Sequence, residues 1–265
     1  GHVLAWERLA RLHLELGDLD YALRDADKLM ALGQDAGRWT LFKGVVFIRQ
    51  GSAQKAIEAF AQIGSDVNLA HAYRRAKQYE QAVKCYDRLV AEAANAPAAI
   101  WHLYQRATPL WILGRPAEAL ADYEQVRTLL GAPWYSDARR YLILRELGRA
   151  DEADEVLRAA LRDAKHDWLR HIFRALAGEI TPEQLVADAL SRDSREQLCE
   201  AYYYAGEIRL LQGRADEARQ YFEHCVQTGV SFDPDASLGT PMNEYELAQW
   251  RLETLFGSSA PTSQP

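Results

Sequence analysis

The stretch Arg195–Gly229, REQLCEAYYYAGEIRLLQGRADEARQYFEHCVQTG, reads as one complete helix–turn–helix unit. With Gly213 as the turn, Tyr202, Ala205, Gly206 and Arg209 fall at helical spacing on a first helix. Ala218, Phe222 and Cys225 do the same on a second. Small residues at Gly206 and Ala218 flank the turn, because two antiparallel helices approach closely only where side chains are nearly absent.

The same arrangement recurs along the chain. Gly17 and Gly51 stand 34 residues apart, as do Gly114 and Gly148. Seven residues before each turn glycine, where the first helix must be thin, stand Ala10, Gly44, Ala107, Tyr141 and Gly206, of which only Tyr141 is large. Five residues after it stand Ala22, Ala56, Ala119, Ala153 and Ala218, and four further on come Ala26, Phe60, Tyr123, Leu157 and Phe222. A shortened third unit has Lys77 in place of the glycine. A degenerate sixth runs between Asp167 and Ser191, with Gly178 as its turn and Thr181-Pro182-Glu183 as a helix start. Glycine in the left-handed conformation would close each first helix, and Asp18 or Ser52 would cap the second.

Trp6, Leu9, Ala10, Gly17, Ala22 and Leu29 of the first unit resemble the tetratricopeptide repeat (TPR) pattern residue by residue. The resemblance implies an all-α, right-handed superhelix of about six to seven helical hairpins with a C-terminal capping helix. Repeats are expected near 3–34, 38–65, 66–93, 98–131, 133–164, 166–191 and 195–229, with a cap at 243–256. They make one solenoid over 1–256, and 257–265 (GSSAPTSQP from Gly257) reads as a disordered tail. The last unit, through Glu200-Ala201-Tyr202-Tyr203-Tyr204-Ala205-Gly206 with Gly213 and Ala218, is also similar to bacterial TPR lipoproteins of the NlpI type, which act as adaptors for envelope enzymes.

A formal net charge of −7 argues against nucleic-acid binding, which needs a basic face. No apolar run approaches the roughly 20 residues of a membrane span. Three cysteines, Cys85, Cys199 and Cys225, at helical positions read as reduced and structural, which favours the cytoplasm. Gly1-His2 in place of an initiator Met reads as a tag remnant, so a removed signal and a periplasmic location are the alternative.

The chain lacks the phosphate-loop, H-E-x-x-H, C-x-x-C and G-x-S-x-G motifs, and no catalysis or cofactor is expected. His166 and His171 are five apart, off the spacing of two ligands on one helix face. Asp233, Asp235, Ser237 and Glu244 match places 1, 3, 5 and 12 of a calcium loop, but Leu238 stands where that loop needs glycine, so no metal is expected.

In TPR arrays the ligand face is lined by the first helices. On that register fall Arg11, Arg38, Arg49, Arg74 and Arg75, a local positive field suited to an acidic segment or C-terminal carboxylate, unless Glu7 and Glu15 pair with them. Trp101, Tyr104, Trp111, Trp134 and Tyr135 add aromatic anchoring area, of which more than half is expected in the core, and the last repeat presents Tyr203 on the same face. The Lys and Asn set of the chaperone-tail-binding TPR domains is not reproduced, since Glu7 and Arg11 take those places. The expected role is a non-catalytic scaffold that binds a peptide or protein segment in its groove. The alternatives are a recruiting module of a larger enzyme or envelope or secretion complex, and a homodimer formed through the surface near Trp134.

Overall fold

The computed structural model describes residues 2–231 and 243–257. Among the described residues the chain is helical throughout, with no strand, and fourteen of its helices pair into seven antiparallel hairpins. It divides into two compact units, one ending at Glu92 and one beginning at Ala93.

The first unit holds α1 (His2–Leu16) with α2 (Leu19–Ala31), α3 (Ala36–Arg49) with α4 (Ala53–Gln62), and α5 (Asp66–Arg75) with α6 (Tyr79–Ala91). The second holds α7 (Ala96–Ile112) with α8 (Pro116–Leu130), α9 (Tyr135–Glu146) with α10 (Ala150–Asp163), α11 (Asp167–Leu176) with α12 (Pro182–Ser191), and α13 (Arg195–Leu211) with α14 (Ala215–Gln227). The single helix α15 (Asn243–Phe256) completes it.

One turn closes all seven hairpins. The residue after the turn position donates its N–H five residues back, as in Asp18 to His13 O at 2.8 Å, Ser52 to Phe47 O at 2.8 Å and Arg214 to Arg209 O at 2.9 Å. This bond requires a left-handed residue before the donor. Gly213 supplies it with φ +73°, and in the third hairpin Lys77 adopts φ +56°. The expected side-chain caps from Asp18 and Ser52 do not form. Each residue ends one helix and begins the next, and ψ values of 62° and 60° hold its side chain away from the following N–H groups. Side-chain caps appear where the chain enters a helix extended. Asn95 Oδ1 accepts from Ala98 N at 3.0 Å with ψ 167°, and the Thr181 hydroxyl accepts from Gln184 N at 3.2 Å with ψ 158°.

Packing follows the small-residue positions. Ala10, Ala22, Ala56, Ala107, Ala119, Ala153 and Ala218 are all fully buried. At Gly44 the Phe60 ring lies so close that a Cβ would come within 2.2 Å of it. Tyr141, the large residue at a thin position, is buried and donates its hydroxyl to Leu176 O at 3.5 Å.

Candidate functional site

In the first unit, α1 and α3 enclose a cleft of about 190 Å³ lined by Arg11, Leu14, Arg38, Trp39, Leu41, Phe42 and Val45. Its apolar wall belongs to the core in which Trp39 packs with Ala10, Ala26 and Leu29. Trp39 meets Phe42 edge-on at 5.4 Å, and its buried Nε1 has no hydrogen-bond partner. Arg38 lies 5.0 Å over the Trp39 ring and donates from Nη1 to Glu7 Oε1 at 2.8 Å. The cleft therefore offers a greasy floor with two guanidiniums at its edge, one of them partly neutralised.

The remaining arginines of the expected cluster go elsewhere. Arg49 donates from Nη1 to Leu14 O at 3.0 Å and so closes the C-terminal end of α1. Arg74 is only 2% exposed, Arg75 is half-buried, and both have partners within the protein. Arg11 and Arg38 alone are brought to the cleft.

In the second unit the aromatic positions are corrected. Trp101 is half-buried, but Tyr104, Trp111 and Tyr203 are buried and present no surface to a ligand. Tyr104 packs against Tyr123 at 5.7 Å and against Trp134 at 4.5 Å, and Tyr203 packs against Tyr204 at 5.1 Å. Trp134, the expected dimer residue, is itself half-buried in this stack. The cause is α15. Beyond covering α14 and α13 it also packs on α7. Its polar side chains reach α9 as well, so it lies across the first helices of three hairpins.

Those contacts are ionic and, apart from the exposed Glu146, buried. Arg139 of α9, fully buried, pairs with Glu244 of α15 and lies within 3.4 Å of the Tyr204 hydroxyl. Arg251 of α15 donates to Glu207 of α13 at 2.7 Å and 3.2 Å and to Glu146 of α9 at 3.1 Å. Trp111 Nε1 donates to the same Glu146 at 3.1 Å, and the Arg251 guanidinium stands 4.4 Å over the Trp250 ring. Glu200 accepts from Trp168 Nε1 at 2.5 Å and from the Tyr135 hydroxyl at 3.1 Å. Burial, reinforced by the nearby Glu244 charge, pushes its carboxyl up to about 8, so it is largely protonated at neutral pH. Desolvation also raises the hydroxyls of Tyr203 and Tyr204 well above the ordinary value.

Sequence reasoning missed this network. Its signal was there in Glu200 and Glu207, acidic residues set among the buried positions of a first helix, where such a group needs a partner or keeps its proton. Of the residues with calcium-loop spacing, Asp233, Asp235 and Ser237 lie outside the described residues, and Glu244 is committed to Arg139. Residues 258–265 of the expected tail also lie outside them. No helix among the described residues is long and apolar enough to cross a membrane.

Repeated hairpins with one shared turn and a common small-residue interface define a helical repeat protein. Residues 7–65, 67–95 and 200–228 each match a family profile described as tetratricopeptide repeat, so the chain carries tetratricopeptide repeats over those residues. No curated protein matches it. Among solved structures it is similar to a tetratricopeptide repeat protein from Parabacteroides merdae, at 18% identity and TM-score 0.58, covering 94% of this chain and all of that one. It is also similar to the apo form of the quorum sensor NprR from B. thuringiensis, at 15% identity and TM-score 0.56, covering 86% of this chain and 76% of that one. MamA protein aligns at 17% identity and TM-score 0.52, over 68% of this chain and 96% of its own. These likenesses establish the all-α repeat fold.

Proposed function

We propose that this protein is a non-catalytic interaction scaffold whose first unit holds a peptide or protein segment in the α1–α3 cleft. Tetratricopeptide repeats are in general a protein-interaction fold, and the coarse role rests on that. The observation that carries the finer reading is the cleft itself: an apolar floor of Leu14, Leu41, Phe42 and Val45 with Arg11 and Arg38 at its rim. That chemistry suits a segment with an apolar side chain next to a carboxylate, either an acidic residue or a chain end. The apolar group would supply affinity by leaving water, and the guanidiniums would fix orientation. Arg38, already stacked on Trp39 and held by Glu7, loses little freedom on binding, which favours a preformed site.

Panning a displayed random peptide library on the full chain tests this reading. Enriched peptides should pair an acidic group with an apolar residue and lose about tenfold or more in affinity against an Arg11→Glu/Arg38→Glu variant whose circular dichroism is unchanged. Enriched peptides without an acidic group, or with equal affinity for both proteins, would remove the cleft from consideration.

A further inference from the structure

We propose that the face formed by α7, α9 and α13 is a helix-binding surface whose resident occupant is the chain's own α15. A partner helix carrying an acidic residue and an arginine seven positions apart takes the same seat. The pattern is read from α15. Glu244 and Arg251 are seven apart, two turns along one side of the helix, and each meets an opposite charge on the receiving face. Arg139 receives the acid, and Glu207 and Glu146 receive the arginine. Between them in sequence, Leu247, Ala248 and Leu252 are buried apolar residues of the same helix.

The composition of this interface separates α15 from its neighbour α14. Four of the seven buried residues of α15 are polar or charged, namely Asn243, Glu244, Glu246 and Arg251. The hairpin next to it closes on Ala218, Phe222, Cys225 and Val226. Buried ion pairs repay their desolvation poorly as stability but discriminate strongly between partners and registers. A helix seated by them is specified more than it is fastened.

A second observation points to an outside ligand. Arg139 Nη1 and the Tyr203 hydroxyl are both buried on or beneath this face and have no hydrogen-bond partner, although Arg139 stands 5.7 Å from the Tyr203 ring. The resident helix thus leaves two donors unsatisfied, each a standing cost. An incoming helix with one further acceptor beside its acidic residue would satisfy them and outcompete α15, as amphipathic helices do in grooves that read charge and apolar anchors together.

The test uses the full chain and a fluorescein-labelled peptide with the sequence of residues 243–256. In the Arg251→Glu chain the resident helix loses its grip while Arg139, Glu146 and Glu207 stay in place. The peptide should bind this variant about tenfold or more tighter than the wild type, because the seat is vacant more often. A peptide with the same Arg251→Glu change should bind neither protein. Equal binding to both chains, or no binding to either, overturns the proposal. Should the variant fail to fold, hydrogen exchange on the wild type decides: α15 amides that exchange faster than those of α13 support a releasable helix, and α15 amides protected as strongly as α13 overturn it.

Discussion

Gly206 of α13 and Phe222 of α14 are fitted to one another so closely that a Cβ on the glycine would stand 2.6 Å from the phenyl Cε1. The second hairpin repeats the relationship with Gly44 and Phe60. Both rings are buried and cannot swing aside. Gly206→Ala should therefore destabilise the protein by about 1–3 kcal/mol through overpacking, although alanine is the better helix former by about 1 kcal/mol. Urea unfolding of the single variant and of Gly206→Ala/Phe222→Leu measures it, and the double variant should recover part of the loss. Unchanged stability in the single variant would mean that the helices separate without penalty.

Lys77 occupies a left-handed turn position, at φ +56°, that glycine fills in the other six hairpins. A side chain in that conformation costs about 1–2 kcal/mol, offset by the greater freedom of glycine in the unfolded chain. Lys77→Gly should raise stability by about 0.5–1 kcal/mol, and Gly51→Ala should lower it by a similar or larger amount. Paired denaturant curves would show whether the two changes have opposite signs.

The Glu200 carboxyl, ordinarily near 4.5, is held at about 8 in the fold. Below 4.5 both folded and unfolded chains carry this proton. As pH rises toward 8 the unfolded chain releases it while the folded chain retains it, so stability falls across that window and levels off above it. Glu200→Gln keeps an acceptor for Trp168 and Tyr135 but cannot ionise. Its melting temperature should gain on the wild type steadily from about pH 5 to pH 8, and a pH-independent difference would place the proton elsewhere.

Cys85, Cys199 and Cys225 are all buried, and desolvation pushes the Cys85 and Cys225 thiols up. Cys199 Sγ lies 3.3 Å from Cys225 Sγ, inside the α13–α14 hairpin. Alkylation of the reduced native protein should run about a hundredfold slower than in guanidinium, because it must await opening. Fast labelling of one thiol, located by mass spectrometry, would reveal a locally open hairpin.

The fold was legible because its determinants are local. A turn glycine, an alanine five residues later and an aromatic four beyond that report a hairpin wherever they occur, and Lys77 could be recognised from its neighbours alone. The site was legible only in part. Arg11 and Arg38 reach one cleft as their helical register implied, but register cannot reveal that Arg49 turns back to the Leu14 carbonyl. Least visible was α15. Arg139 and Glu244 are 105 residues apart, and no periodicity connects them, so Trp111 and Tyr203 looked like open anchoring surface when they lie under a helix from the far end of the chain.

The protonated Glu200 also leaves a calorimetric signature. Melting this protein near neutrality should release the proton that the buried Glu200 retains in the fold, and that proton must be taken up by the buffer. The heat of unfolding should accordingly differ between Tris and phosphate, whose ionisation enthalpies are far apart, and the proton release behind that difference should fall in the Glu200→Gln protein, where groups such as His102 still exchange protons. The interior of the second unit can thus be followed by a proton count, with no spectroscopic label attached.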